Sequence, residues 1–440
     1  MSSQRSKPWS QTTLGKSLPI RYGKARTDKA GVVREDSPVY GSSGVIDKFD
    51  RALTNGPALI IGRKGTVGST YYSSEPCWPI DTVYFTEASE EKDLRFFKYL
   101  LDHLQLGRMD RSTAVPGLSR DDYNAKEVAI PDIDEQQRIV LEIEKQFTRL
   151  EAGVGALRRV QANLKRYRAA VLKAACEGRL VPTEAELAKA ENRKFESGEE
   201  LLARILTERR QNWQGRGQYK EPAAPDTGNL PSLPSGWTWG ALEAVSDAVG
   251  GFAFSSTKFV EAGYQVVKMA NIRMGKIDLT QRPSFISDVT PDIVDKYSLR
   301  EGDLVVTLTG TRKKRDYGYV AVVKTGAGLL LNQRIARLRP FPGMISKFLQ
   351  LAMQAEHYRN RFFSHETGNV GQGNVGMAAV TKELITLPPL AEQIRIVAEV
   401  ERRLSVAEEL EATVSVSLQR AVRLRQSILQ NIFSAPITVT

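Results

Sequence analysis

IPDIDEQQRIVLEIEKQFTRL, residues Ile130–Leu150, decides the architecture, because the chain writes it twice. The first copy continues to LKRYRAAVLKAACEGRL (Leu164–Leu180). The second reads LPPLAEQIRIVAEVERRLSVA (Leu387–Ala407) and continues to AVRLRQSILQNIF (Ala421–Phe433). Pro131 pairs with Pro388, and the same offset holds without a gap through Glu135/Glu392, Gln136/Gln393, Arg138/Arg395, Ile139/Ile396, Val140/Val397, Glu142/Glu399 and Glu144/Glu401. Further on, Arg166/Arg423, Arg168/Arg425 and Leu172/Leu429 still match. A period that holds a whole domain plus a helix is a duplication rather than a solenoid repeat.

Both copies carry an apolar stripe at coiled-coil spacing. In the first, Val140, Ile143, Phe147, Leu150, Val154, Leu157, Leu164, Val171 and Ala175 alternate three and four residues apart, with Gln161 and Arg168 as polar breaks. In the second, Val397, Val400, Leu404, Ala407, Val414, Leu418, Ala421, Ile428 and Ile432 do the same, with Glu411 as the break. A helix of about 45 residues spans roughly 65 Å. One apolar stripe of that length needs a partner, and the nearest candidate is the other copy. Pro131 followed by Asp134, with Gln137 three residues on, reads as the start of the first helix with Asp134 as its N-cap. Gly178 and Pro182 end it.

Around these helices the chain is mixed α/β. In the first part, ALIIG (Ala58–Gly62) and TVYF (Thr82–Phe85) read as strands between the turns YGSSG (Tyr40–Gly44) and GRKGTVG (Gly62–Gly68), and LRFFKYLLDHL (Leu94–Leu104) as a helix. After the first long helix, 183–213 is charged and helix-prone, and 215–236 is a Pro/Gly linker without the means to build a core. From Gly236 a second α/β pattern follows the first. GYQVVKMANI (Gly263–Ile272) answers SPVYGSSGVI (Ser37–Ile46), and GDLVVTLTGTRKKRDYG (Gly302–Gly318) answers PALIIGRKGTVG. LLLNQRIARLRPF (Leu329–Phe341) answers PCWPIDTVYF (Pro76–Phe85), and KFLQLAMQAEHY (Lys347–Tyr358) answers RFFKYLLDHL. The expected ranges are a first globular domain over 1–130, a long helix over 131–181, a charged helical segment and linker over 182–235, a second domain over 236–386 and a second long helix over 387–440.

Composition narrows the function. With 62 Lys+Arg against 51 Asp+Glu the net charge is +11, which favours nucleic acid or another polyanion as partner. Cys77 and Cys176 stand far apart and fit no zinc or redox spacing, so both are expected to be packing residues in a reducing cytoplasm. No stretch has the apolar length of a membrane span or signal peptide. Catalysis finds no constellation: there is no dinucleotide or P-loop glycine pattern, and no Asn-Pro-Pro or Asp-Pro-Pro with a following aromatic. His103, His357 and His365 are scattered. Pro291 and Asp292 form only a chance-level nuclease pair.

Binding chemistry is better represented. Arg312, Lys313, Lys314 and Arg315 form the densest positive cluster, in a turn after an apolar strand, and Arg63 and Lys64 occupy the corresponding turn of the first domain. Such side chains reach phosphates or the acceptor edge of guanine; a merely solvated loop is the competing reading. Side chains suited to base edges lie on neighbouring loops: Tyr40, Ser42 and Ser43 in the first domain, Asn271, Arg273, Gln372 and Asn374 in the second. Arg108, Arg111 and Arg120 lie on the segment leading to the first long helix.

The twofold P-x-x-x-E-Q-x-R-I-V helix, the two divergent domains and the LPSGW that opens the second (Leu233–Trp237) resemble the DNA-specificity subunit of type I restriction–modification systems. The resemblance covers essentially the whole chain. It implies duplicated α/β (α+β) target-recognition domains, each followed by a long helix, with the two helices paired as an antiparallel coiled coil. It also implies that each domain reads one half of a bipartite site in double-stranded DNA and that two modification subunits dock on the chain. Those subunits would bring S-adenosylmethionine, and restriction subunits would bring ATP and Mg, so this chain would hold no cofactor and do no catalysis. A coiled-coil scaffold whose basic surface binds acidic partners is the alternative.

Overall fold

The computed structural model describes residues 9–26, 31–109, 117–214, 217–228, 230–369 and 371–434. The chain forms two compact units, residues 1–160 with 412–440, and residues 161–411. This division runs through both long helices, Ile133–Cys176 and Leu390–Phe433. Each unit therefore owns a segment of each helix.

In the first unit, Ala58–Gly62 is one of two interior strands of a four-stranded sheet ordered Arg21–Tyr22, Val83–Glu87, Ala58–Gly62, Thr70–Ser73, antiparallel throughout. ALIIG is buried along its whole length, as an apolar run covered on both faces must be. A long hairpin, Val32–Gly41 with Gly44–Ala52, adds Trp78–Pro79 in parallel to Val39–Tyr40. The helix Leu94–Leu104 packs Phe96, Phe97, Leu100 and Leu101 into one core with Val140, Ile143 and Phe147 of the first long helix and Ile428 and Leu429 of the second.

The second unit repeats the plan strand for strand. Its four-stranded sheet runs Ser246–Gly250, Ile335–Pro340, Leu304–Thr307, Val320–Val322. Its three-stranded sheet runs Phe285–Ile286, Tyr264–Val267, Leu329–Leu331, the last pair parallel. Thr238–Ala241 pairs with Leu384–Leu387 just as Ser10–Thr13 pairs with Glu127–Ile130, each pair leading into a long helix. Two short ribbons are added here, Ile272–Arg273 with Lys276–Ile277 and Thr309–Thr311 with Gln372–Asn374.

The stripes on the long helices face inward within each unit. Val140, Ile143, Val171, Ala175, Val400 and Ala407 are buried. In the first unit Arg425 lies 4.3 Å over the ring of Phe147 and 3.4 Å from Glu151. In the second, the polar breaks of the two seams meet: Arg168 stands 3.1 Å from Glu411 and 3.6 Å from Glu408. The cap of the first helix is Asp132, not Asp134: its Oδ1 accepts the Glu135 N–H at 3.0 Å, and the helix begins at Ile133. Asp134 already lies in the first turn, where its charge suits the positive helix end.

The segment expected to be charged and helical forms two short helices, which dock on the second unit. Helices Glu184–Ala190 and Gly198–Gln211 both open with complete capping boxes, Thr183/Glu186 and Ser197/Glu200. Leu201 and Ile205 enter the second unit's core. Gly198 fits only as glycine, because a Cβ there would lie 2.2 Å from the Leu387 carbonyl oxygen. A polar clamp completes the dock. Glu392, buried at the start of the second long helix, accepts from Trp237 Nε1 at 2.9 Å and from the Glu184 N–H at 2.8 Å. The Glu184 carboxylate takes Arg193 and Arg395, each at 2.6 Å. Burial would raise Glu184, but these two arginines bring it below the usual carboxylate range. Burial raises Glu392.

Cys176 is fully buried with its thiol pushed up to about 12 by desolvation, and Cys77 is buried and raised for the same reason. Among the described residues no helix is long and apolar enough to cross a membrane.

Candidate nucleic-acid interface

In the second unit the added ribbons and the turn between strands Leu329–Leu331 and Ile335–Pro340 wall a cleft of about 540 Å³. Arg273, Thr309–Thr311, Asp316, Arg334 and Gln372 line it. Arg273 and Gln372, about 100 positions apart in the chain and chosen from sequence as base readers, are thus brought to one place.

The basic turn follows strand Thr309–Thr311 as its sequence requires, but its four cations do not share one role. Arg312 donates from Nε to Glu366 at 2.6 Å. The Tyr317 hydroxyl donates to the same carboxylate, and together they hold Glu366 below the usual carboxylate range. Arg315 has a left-handed backbone (φ +47°) and lies 4.9 Å over Phe363. Lys313 and Lys314 are exposed at the tip. Arg312 and Arg315 thus contact Glu366 and Phe363 beside the loop whose tip carries the two lysines.

The other candidates of this unit divide in the same way. Asn271 is buried: its Oδ1 accepts the Lys268 N–H, and its Nδ2 donates to Asp278 and Gln281 carbonyls at 2.9 and 2.8 Å. All its hydrogen-bonding capacity toward one turn is spent, so it shapes the loop rather than facing a ligand. Arg273 donates to the Ala270 and Ile272 carbonyls and to Gln281 Oε1, each at 2.9 Å, which fixes its guanidinium at the cleft wall. Asn374 Oδ1 accepts from Thr309 Oγ1 at 2.8 Å, tying the ribbon together. Gln372 is exposed.

In the first unit the hairpin tip and the basic turn adjoin. Ser69, just past GRKGTVG, donates to the Ser42 carbonyl at 2.6 Å, and a Cβ on Gly65 would come within 3.0 Å of Ser42 Oγ. Ser42, Ser43 and Lys64 therefore share one edge, with Ser43 and Lys64 exposed. Tyr40 does not belong to that edge: its ring is in the core beside Tyr71, where desolvation raises its hydroxyl. Arg63 donates to the Asp81 carbonyl at 2.7 Å and lies 5.3 Å from the centre of the Tyr22 ring, and Arg120 lies 5.5 Å from the same ring. Tyr84 beside them is pushed up to about 12, by burial first and then by Tyr22. Arg63 and Arg120 are cation–π braces of an aromatic patch. Arg108 is exposed on the turn Leu106–Met109, which packs so closely on Gly68 (φ +72°) that a Cβ there would lie 2.2 Å from the Gly107 nitrogen. Arg111 lies outside the described residues.

Arg334 is the cleft residue that sequence reading missed. The signal was present in LNQR (Leu331–Arg334), a polar turn ending in a cation between two apolar strands, the same kind of position as Arg63 and Arg312.

A model of the type I restriction modification DNA specificity domain matches residues 10–154 and again residues 234–419. The chain is 24% identical over 293 residues to the specificity subunit of the Escherichia coli type I restriction enzyme EcoAI, a match over 66% of this chain and 48% of that protein. It is 22% identical over 389 residues to the EcoBI specificity subunit, also from Escherichia coli, over 86% of this chain and 73% of that protein. It thus spans about half of the former and nearly three quarters of the latter. Among solved structures, a chain from work on assembly and conformational transition of the type I R-M system superposes with a TM-score of 0.62 at 18% identity, covering 98% of this chain and 99% of that one. The HsdS subunit from Thermoanaerobacter tengcongensis gives a TM-score of 0.50 at 16% identity, over 97% and 96% of the two chains. These structural likenesses establish the shared fold.

Proposed function

The chain belongs to the type I restriction modification DNA specificity domain family, and we propose that it is the sequence-specific DNA-binding subunit of such a system, each unit reading one half of a bipartite duplex site. The observation that carries this is the repetition of one sheet plan in both units with different side chains at corresponding turns: Arg63 and Lys64 in one, Arg312 to Arg315 in the other. Two copies of one scaffold with unlike reading loops address two unlike half-sites, as protein dimers address like ones.

In this reading the long helices pair antiparallel and set the half-site separation. Arg425 on Phe147 and Glu151 supports it in one unit, Arg168 on Glu411 in the other. The helices also offer the surface on which two modification subunits dock. Those subunits supply S-adenosylmethionine chemistry, and restriction subunits supply ATP- and Mg-dependent steps. This chain supplies address and spacing.

The test is selection of tight binders by the full chain from a pool of duplexes with a randomised centre. The expected outcome is a motif of two short blocks separated by a fixed number of unspecified base pairs. One continuous block, or salt-sensitive binding without any motif, overturns the reading.

A further inference from the structure

We propose that Arg334 is a specificity-determining residue of the second unit, reading guanine from the major groove. The inference rests on the function proposed above and adds a residue that the sequence pattern alone did not single out. The arginines at or beside the cleft differ in what they have left to offer. Arg273 is tied to three acceptors, Arg312 to Glu366, and Arg315 to the face of Phe363. Arg334 lines the cleft and is exposed, and its guanidinium has no hydrogen-bond or ion-pair partner among the described residues.

Its backbone points the same way. Arg334 has φ +70°, a left-handed conformation that is costly for a residue with a Cβ. The surroundings hold it there: its carbonyl accepts the Leu308 N–H at 2.9 Å, and the turn is pinned by the Phe252 carbonyl accepting from Gln333 at 2.8 Å. Glycine would relieve the strain at this turn without loss of any of these backbone bonds. Backbone strain kept at a residue that lines the cleft, with its side chain unpartnered in its own fold, fits a functional position. A rigid mount matters little for a phosphate contact, which tolerates position and for which Lys313 and Lys314 are available. It matters for a planar fork that must meet O6 and N7 of one guanine together. Gln372 and Asp316 on the same cleft match the edges of adenine and cytosine, so neighbouring base pairs would also find partners.

The experiment repeats the randomised-duplex selection with full-length Arg334→Gly and Arg334→Lys. Arg334→Gly removes the fork and suits φ +70°, so its melting temperature should equal or exceed that of the wild type. Its selected motif should lose about ten- to a hundredfold preference for guanine at one base pair of one block. The other block should be unchanged. Arg334→Lys keeps the charge without the fork and should lose the same column while binding nearly as tightly at low salt. Uniform weakening at every position with a salt slope reduced by about 1 would make Arg334 a phosphate contact and overturn the proposal. So would an unaltered motif in either variant. A wild-type chain that selects no motif overturns the proposed function and this inference with it, whereas a wild-type motif insensitive to Arg334 overturns the inference alone.

Discussion

Gln136 and Gln393, one pair of the duplicated signature, perform one task twice. Gln136 donates from Nε2 to the Pro131 carbonyl at 2.9 Å and accepts at Oε1 the Asp93 N–H at 3.1 Å. Gln393 donates to the Pro388 carbonyl at 3.1 Å and accepts the Ile345 N–H at 2.9 Å. Asp93 and Ile345 are the N-caps of corresponding helices, so each glutamine fastens the start of its long helix to the start of the helix that packs beneath it. Only an amide both donates and accepts here. Gln136→Ala should therefore cost about 1–3 kcal/mol, because a buried N–H loses its acceptor, and Gln136→Glu should not restore it, because a carboxylate cannot donate to Pro131. Denaturant unfolding of the two variants measures both; a Gln136→Glu protein as stable as the wild type would contradict this role. The neighbouring Glu135 and Glu392 show where identity in sequence stops meaning identity of role. Glu135 pairs on the surface with Arg138, whereas Glu392 is buried under Trp237.

At the scale of elements, the long helices were legible because a heptad stripe sustained over many turns fits a long paired helix and no strand or loop. The strand pairs were legible from apolar runs between glycine turns. The docking of 183–211 was not. Leu201 and Ile205 sit in a stretch dominated by charge, and which core they meet depends on Glu392 and Gly343, residues far along the chain. The roles of Arg312 and Arg334 were hidden for a related reason: composition shows a cation, but not whether Glu366 has already claimed it. The helices also carry a prediction of their own. Seven residues inserted between Gln161 and Ala162 keep the stripe in phase and lengthen the first helix by about 10 Å. With a matching heptad in the second helix, the preferred gap between the two blocks should widen by about three base pairs at roughly 3.4 Å each. The singly lengthened chain should bind its original site more weakly. Duplex selection reads both, and an unchanged gap in the doubly lengthened protein would show that the helices do not set it.

For the whole molecule, modularity is the property the duplication predicts, and the structure shifts where the module begins. An exchange of residues 236–386 leaves the native Leu201 and Ile205 facing a foreign core, since both pack into the second unit. An exchange of 183–386 moves Leu201 and Ile205 together with the core they enter, leaving Glu392 and Arg395 of the dock native. Replaced by the same span of a relative, it should yield a cooperatively melting chimera with one block of the motif rewritten and the other retained. The 236–386 chimera should melt lower, by the few kcal/mol that imperfect packing of two core side chains costs. Thermal melts and duplex selection on both chimeras check this; a change in both blocks would mean that the two units do not read independently.

The first unit's core has a consequence for how the protein is made. Phe96 and Trp9 close their aromatic cluster only with Phe433, at ring distances of 5.6 and 6.4 Å. A ribosome that has finished residues 1–160 has therefore released a domain whose apolar face must wait for more than 250 further residues before its last wall is translated. At roughly 5–20 residues per second that interval is on the order of tens of seconds, during which the apolar face stays open to water.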